Sequence, residues 1–321
     1  MEKTVIEVHN GEGVFLNNSL FSLCAFDSLS LCTKKNSKMK LDKRAITKFI
    51  KAALAEDIGD GDHTSLSTVP ADAIGRAKLL VKDEGTLAGV ELAKMIFKTV
   101  DKDLKVQVLI KDGDPIKYGD IAFYVEGRDR SILTSERLVL NCMQRMSGIA
   151  TTTKQVVKLL EGTKTKVLDT RKTTPCFRMI EKWGVQIGGG INHRFGLFDM
   201  ILIKDNHVDY AGGIKNALNA AHKYLTTTGK DLPIEIEVRN IAELHDALEI
   251  GGVVRIMLDN FSYENIREAI KIVDGRFPLE ASGNISPKNV REYAECGIDY
   301  VSMGYLTHSA KSLDLSLKAV K

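Results

Sequence analysis

Nothing in this sequence is long and apolar enough to cross a bilayer as a helix, which takes about 18 consecutive apolar residues. The most apolar stretch, Val14 to Cys32, is broken by Asn17, Asn18, Asp27 and its serines. It has no basic region in front and no clear cleavage site, so it reads as neither a membrane span nor a secretory signal. An excess of charge of one sign is also missing: 45 lysines and arginines against 42 acidic residues leave a formal +3 over 321 residues. That balance excludes a general affinity for nucleic acid or an anionic membrane, so any basic function must be local. The five cysteines, Cys24, Cys32, Cys142, Cys176 and Cys296, form no C-x-x-C or other zinc spacing, and their number is odd. They read as the reduced thiols of a cytoplasmic protein. Both phosphate-loop signatures, G-x-x-x-x-G-K-[ST] and G-x-G-x-x-G, are absent, which counts against a doubly wound nucleotide-binding sheet.

What is there is a globular composition, 44% hydrophobic and 27% charged, in a chain long enough for one large domain or two. Its second half repeats one pattern five times: a short apolar run ends in residues built to hold charge. Val167-Leu168 runs into Asp169-Thr170-Arg171-Lys172, and Met200 to Ile203 into Lys204-Asp205-Asn206-His207. Ile234-Glu235-Ile236 ends at Glu237-Val238-Arg239, Val253 to Leu258 at Asp259-Asn260, and Leu279-Glu280-Ala281 at Ser282-Gly283-Asn284. A parallel α/β barrel delivers such residues to one face, because all its strands point the same way. Asp299 to Gly304 adds a sixth run, and Val185-Gln186-Ile187 is a weaker extra candidate. Fewer than eight strands predict an incomplete or irregular barrel, with an open doubly wound sheet as the structural rival.

The first half is organised differently. Residues 1–40 mix polar and apolar positions without period and read as a poorly ordered extension. Ile46, Phe49, Ile50, Ala53 and Leu54 then recur at helical spacing. The acidic loop Glu56 to Thr64 lacks the EF-hand spacing, and turn formation with capping by aspartate is its plainer reading. Strands at Arg76 to Lys82 and Lys105 to Ile110, around a helix at Val90 to Val100, predict a small α+β unit. A long helix starts near Ser131, breaks at Ser147-Gly148, and resumes from Ala150 to Leu160.

If the strand ends share one face, that face holds Arg171, Lys172, Lys204 and Arg239 against Glu237 and Asp259. The insertion Gly188 to Arg194 adds glycines for close backbone approach and Asn192-His193-Arg194 as donors. So many cations in one concavity ask for a small polyanion, since arginine forks match carboxylates and phosphates. The two acids suit a magnesium ion held through its waters, or a cationic carbon. Ser282-Gly283-Asn284 and Met303-Gly304-Tyr305 sit where the last strands of a barrel bind a terminal phosphate. Any one of these charges reads by default as a solvated loop residue; the coordinated set does not. Cys176 has no evident base for a nucleophilic role. His63 and His207 read as structural hydrogen-bonders, and Glu280, one residue before a loop, as half-buried.

These strings resemble one family. Glu136 to Asn141 followed by Ser147-Gly148-Ile149-Ala150-Thr151 is similar to the interdomain helix of the quinolinate phosphoribosyltransferases. Asp169 to Thr173, Gly188-Gly189-Gly190 with Asn192-His193-Arg194, Lys204 to His207, Leu258 to Phe261, Glu280 to Asn284 and Gly304 to Ser309 follow in family order. The resemblance implies a homodimeric enzyme of de novo NAD biosynthesis. It would convert quinolinate and phosphoribosyl pyrophosphate, with Mg2+, to nicotinate mononucleotide, pyrophosphate and CO2. It implies an open α/β sandwich over residues 41–139, joined by the C-terminal tail 308–321, and an irregular seven-stranded α/β barrel over residues 140–307. By the same resemblance Thr170, Arg171, Lys172, His193 and Arg194 would grip quinolinate, together with Arg137 of the partner subunit. Lys204, Glu237, Asp259, Ser282, Gly283, Asn284, Met303, Gly304 and Tyr305 would hold phosphoribosyl pyrophosphate. Lys172, Glu237 and Asp259 would be catalytic, the two acids also reaching magnesium through water. Residues 1–40 have no counterpart in the family pattern. A paralogue acting on another aromatic carboxylate and a non-catalytic relative are the rival readings. Arg137, Arg171 and Arg194 together favour the dicarboxylate, and Lys172, Glu237 and Asp259 favour catalysis.

Overall fold

A computed structural model describes residues 42–320; the expected extension, residues 1–40, lies outside the described residues. The first helix, α1 (Lys43–Ile58), starts where the Asp42 carboxylate accepts from the Arg44 amide at 2.8 Å, the capping contact that satisfies an otherwise unpaired N–H. It buries Ile46, Ile50 and Leu54 along one face. The acidic loop is used for turns and capping: Asp62 starts α2 (His63–Thr68) by accepting from the Ser65 amide at 3.0 Å.

Four antiparallel strands follow, β1 (Ile74–Val81), β3 (Lys105–Val108), β5 (Ile121–Arg128) and the C-terminal β12 (Leu315–Val320), in the order β12-β1-β5-β3. A two-stranded ribbon, β2 (Gly85–Thr86) with β4 (Pro115–Ile116), flanks them. Period-two burial puts Ala77, Leu79 and Val81 of β1 on the inner face. They pack with α3 (Val90–Val100) and α4 (Asp129–Leu159) into one apolar core. The tail returns to this sheet, with Arg76 opposite Val320 and Val81 opposite Leu315.

The expected break at Ser147-Gly148 does not occur, since α4 runs unbroken through 31 residues. Both residues are there for close approach. The Ser147 hydroxyl accepts from the Ala88 amide at 2.9 Å, and a Cβ on Gly148 would stand 1.9 Å from the Lys311 carbonyl oxygen. Helix propensity reads such a pair as weak; tertiary packing overrides it.

The second half carries six parallel strands, β6 (Lys166–Leu168), β7 (Ile201–Ile203), β8 (Ile234–Val238), β9 (Arg255–Asp259), β10 (Leu279–Ser282) and β11 (Tyr300–Ser302). Their order is β6-β11-β10-β9-β8-β7, and the six predicted runs coincide with them. Val185-Gln186-Ile187 is not a strand but the end of α5 (Arg178–Ile187). The extra strand-like contact comes four residues later, where Ile191 forms a parallel bridge to Leu168. The helices α6 (Asp205–Ala211), α7 (Ile214–Thr228), α8 (Ile241–Ile250), α9 (Tyr263–Val273), α10 (Val290–Glu295) and α11 (Tyr305–His308) connect or follow the strands. No helix among the described residues is long and apolar enough to cross a membrane.

Alternation along these strands separates two chemistries. Ile234, Ile236 and Val238 of β8, Ile256 and Leu258 of β9, and Leu279 and Ala281 of β10 join one apolar core with the helices. The opposite face then carries Glu235 and Glu237, Arg255, Met257 and Asp259, and Glu280 and Ser282. One side of each strand thus holds the helices in place, and the other is left free for polar chemistry.

Candidate active site

At the carboxyl ends of the parallel strands lies a cavity of about 530 Å³, the size expected of a small-molecule site. Thr170, Arg171 and Lys172 reach it from the end of β6, and His193 and Arg194 from the loop after α5. Lys204 enters after β7, Asp259 at the end of β9, Ser282, Gly283 and Asn284 around the end of β10, and Gly304 and Tyr305 after β11. Twelve of the residues expected from sequence thus line one wall or another. Among those that sequence reasoning missed are Ile285, Ser286, Ser302, His308, Leu202 and Met257.

The cationic side is held rigidly. Asp169 is fully buried and accepts from the Lys182 ammonium, from the His193 amide at 2.8 Å and from the Asn192 side-chain amide at 2.6 Å. Burial pushes the Asp169 carboxyl up and the Lys182 amine down, and their mutual attraction opposes both shifts. Asn192 is therefore not a donor to ligand, as expected from sequence, but a tie: its amide goes to Asp169 and to the Lys182 carbonyl. Lys172 is fixed through its backbone, its amide donating to Thr170 Oγ1 at 3.0 Å and its carbonyl accepting from Thr307 Oγ1 at 2.8 Å. Burial, and then the charge of Arg171, lower the affinity of the Arg194 guanidinium for its proton. The Arg171 Nε is buried without an acceptor. Two arginines beside one space can hold an anion.

Across the cavity, Lys204 Nζ meets Glu237 at 2.9 Å, while His207 caps the start of α6 by accepting from the Lys204 amide at 3.0 Å. Asp259 accepts from Ser282 Oγ at 2.9 Å and from the Asn260 amide at 2.7 Å. Gly283 has a φ of +91°, and a Cβ there would stand 2.2 Å from Asn260, so this turn requires glycine on both grounds.

Four expectations need correction or relocation. Arg239 is no part of the cavity, because it turns to Glu243 and Asp209 at 2.6 and 2.9 Å. Glu237 and Met303 are buried behind the wall rather than lining it; Met303 instead donates its amide to Leu168 at 2.9 Å. Arg137, expected to serve the site of a neighbouring subunit and not its own, is exposed on α4 and does not line the cavity of its own chain. Glu280 is not half-buried but wholly buried, because alternation turns it inward beside Glu235 and Arg255. Arg255 and Glu235 went unnoticed as a set; the signal was the period-two recurrence of charge inside apolar strands.

Sequence models of two domains match the chain: "Quinolinate phosphoribosyl transferase, N-terminal domain" over residues 62–147 and "Quinolinate phosphoribosyl transferase, C-terminal domain" over residues 149–318. "Quinolinate phosphoribosyltransferase [decarboxylating] 1b" of Nicotiana tabacum is 45% identical over 284 residues, covering 84% of this chain and 81% of the relative. The probable nicotinate-nucleotide pyrophosphorylase [carboxylating] of Bacillus subtilis is 39% identical over 272 residues, 85% of this chain and 92% of the relative. The solved nicotinate-nucleotide pyrophosphorylase from Francisella tularensis superposes with a TM-score of 0.80 at 40% identity, covering 86% of this chain and 96% of that one. Some plant relatives are named as mitochondrial or chloroplastic.

Proposed function

The chain belongs to the quinolinate phosphoribosyltransferase family, and from that membership we infer that it transfers the phosphoribosyl group from phosphoribosyl pyrophosphate to quinolinate with loss of CO2. It is a pentosyltransferase of NAD biosynthesis. The observation that carries the reading onto this chain is the joining of Arg171, Lys172, Arg194 and Lys204 around one cavity. Quinolinate is a dianion, and only fixed cations offset the loss of its hydration.

The reaction asks little else of the protein. The ring nitrogen donates its lone pair to C1 of the ribose as the bond from C1 to pyrophosphate breaks. The transition state has oxocarbenium character, so a fixed carboxylate beside C1 stabilises it. The ring nitrogen, now positive, draws in the electron pair of the bond to the adjacent carboxylate. CO2 leaves, and the ring carbon takes up a proton.

The assignment of roles is our reading. Thr170, Arg171, Lys172, His193 and Arg194 form the quinolinate side, completed by Arg137 of the partner subunit in a homodimer with a shared site. The exposure of Arg137 on α4 supports this, since it leaves the guanidinium available to a neighbour. Lys204, Glu237, Asp259, Ser282, Gly283, Asn284, Met303, Gly304 and Tyr305 form the phosphoribosyl pyrophosphate side. Of these, Glu237 and Met303 act from behind the wall. Lys172, Glu237 and Asp259 are the catalytic set. Asp259 also fits Mg2+ held through water, because each of its oxygens has one protein donor and keeps a lone pair. Glu237, already paired with Lys204, fits only at longer range. When bound, the ion would offset charge on the departing pyrophosphate.

The finer architecture is proposed in the same way: a seven-stave irregular barrel over residues 140–307, with the Ile191 bridge as its short seventh stave, and an open sandwich over 41–139 joined by the tail 308–321. We place the protein in the cytoplasm; Cys142, Cys176 and Cys296 are free thiols, as a reducing compartment requires. Localising the tagged full chain separates this from an organelle. The activity is tested with quinolinate, phosphoribosyl pyrophosphate and Mg2+. Release of nicotinate mononucleotide is expected, and turnover of nicotinate instead would overturn the reading.

A further inference from the structure

Arg178 opens α5 and lines no part of the cavity. It stands where a cation is unwelcome, because the first turn of a helix presents the positive end of the backbone dipole. Its charge is no help to its neighbours either. Burial lowers the affinity of the Lys182 amine for its proton, and the charge of Arg178 adds to that effect. A residue that breaks a local rule in this way calls for a compensating gain elsewhere.

The gain is that one guanidinium holds two loops at once. Its Nε donates to Thr173 Oγ1 at 2.9 Å, and its Nη1 donates to the Phe195 carbonyl at 3.0 Å. Thr173 passes the first contact on: its amide and its hydroxyl donate to the Arg171 carbonyl at 2.9 and 3.4 Å. Phe195 directly follows Arg194, and its amide donates to Asp199 at 2.6 Å. Arg178 therefore fixes backbone beside Arg171 and beside Arg194. Those two arginines repel each other; burial, and then the charge of Arg171, lower the proton affinity of Arg194. Two like charges on separate loops drive the loops apart unless something ties them. A rigid fork of N–H donors suits that task, and the single ammonium of a lysine does not.

We propose that Arg178 is a positioning residue that clamps the Arg171 loop to the Arg194 loop, setting the two arginines for the dicarboxylate without touching it. This deepens the proposed function and rests on it only where quinolinate is the readout. A rigid dianion binds best when its cations are already in place, because less order is lost on binding. Neither hydrogen bond of Arg178 goes to the loop of Ser282 to Asn284 or to Gly304, so phosphoribosyl pyrophosphate does not depend on the clamp.

Arg178→Ala should raise the quinolinate KM about tenfold, the scale of two lost hydrogen bonds, with kcat and the KM for phosphoribosyl pyrophosphate little changed. Equal rises in the two KM values would overturn the proposal. Arg178→Lys keeps the charge but not the fork; a wild-type quinolinate KM in that variant would mean that charge alone matters, and would also overturn it. If Arg178→Ala does not fold, Thr173→Val removes one link of the clamp and should still raise the quinolinate KM about threefold; no rise would count against the clamp. Hydrogen exchange in the free enzyme needs no substrate. Arg178→Ala, or Thr173→Val in its place, should speed exchange in residues 171–174 and, for Arg178→Ala, in residues 193–196, leaving residues 282–285 as in wild type. Unchanged exchange would overturn the clamp whatever the substrate is, whereas faster exchange in a protein that does not turn over quinolinate would overturn only the proposed reaction.

Discussion

Arg145 on α4 meets Glu181 on α5 at 2.8 Å, and this contact is one of two links that join two rims of the cavity. Arg145 also donates to the carbonyls of Thr307 and Ala310 at 2.5 and 2.7 Å. Glu181, fully buried, accepts from the Thr174 amide and hydroxyl at 3.1 and 2.9 Å. Thr307 in turn holds the Lys172 carbonyl. The loop bearing Arg171 and Lys172 is therefore tied to the loop bearing Gly304 and His308.

Removing one partner of such a pair leaves the other buried and unpaired. Arg145→Ala should cost about 3 kcal/mol of stability, the lower end for a broken buried pair, since Arg145 itself keeps some contact with water. Lys94→Ala, which breaks the exposed pair with Glu91, should cost no more than about 1 kcal/mol. Urea unfolding of both variants checks this. Equal effects would mean that the Arg145 contact is no stronger than a surface pair.

Gly148→Ala offers a second test of how the halves of the fold are fixed. Alanine is the better helix former, so propensity alone forecasts a gain of about 1 kcal/mol. The Lys311 carbonyl at 1.9 Å from the new Cβ forecasts the opposite, because backbone must move to admit it. We expect a lower melting temperature than wild type; a higher one would show that the tail adjusts at no cost.

That contrast explains what was legible in the sequence. The six parallel strands were, because each is a local apolar run with a polar stop. Twelve of the cavity residues were as well, because strand direction brings their stops together. Gly148 was misread because its reason lies 163 positions away at Lys311. Glu280, Glu235 and Arg255 were missed because each looks isolated in sequence, and only strand pairing makes them neighbours. Arg239 looked equivalent to Arg171, but the helix after it supplies Glu243 four residues on. Long-range packing, not local pattern, made each of these differences.

The buried cluster also makes stability depend on pH. Burial, and then repulsion from Glu235, push the Glu280 carboxyl up to about 7 from its ordinary 4.5. Between those values the folded chain binds the proton and the unfolded chain has released it, so stability falls as pH rises through this window. Burial would also raise Glu235, but His193 and Arg255 more than offset it and lower it instead, so its contribution changes below the window. Glu280→Gln keeps the neutral form at every pH. Its stability relative to wild type should improve by up to about 3 kcal/mol from pH 5 to pH 8, read from urea midpoints. A difference that does not change with pH would show that Glu280 does not titrate there.

The proposed sharing of the site between subunits predicts a recovery of activity from two dead proteins. Arg137→Ala removes the cation lent to the neighbour, and Lys172→Ala disables the cavity of its own chain. In a mixed dimer, the Arg137→Ala subunit keeps its own Lys172 and receives Arg137 of the partner subunit, so one of the two sites is whole. Random reassortment makes half the dimers mixed, giving about a quarter of wild-type activity. If Arg137 served its own chain, every site would still lack one group and nothing would return. The measurement is nicotinate mononucleotide formation after unfolding and refolding the two variants together, with a distinguishable tag on each. No recovery in samples where mixed dimers are recovered on both tags would sink the shared site.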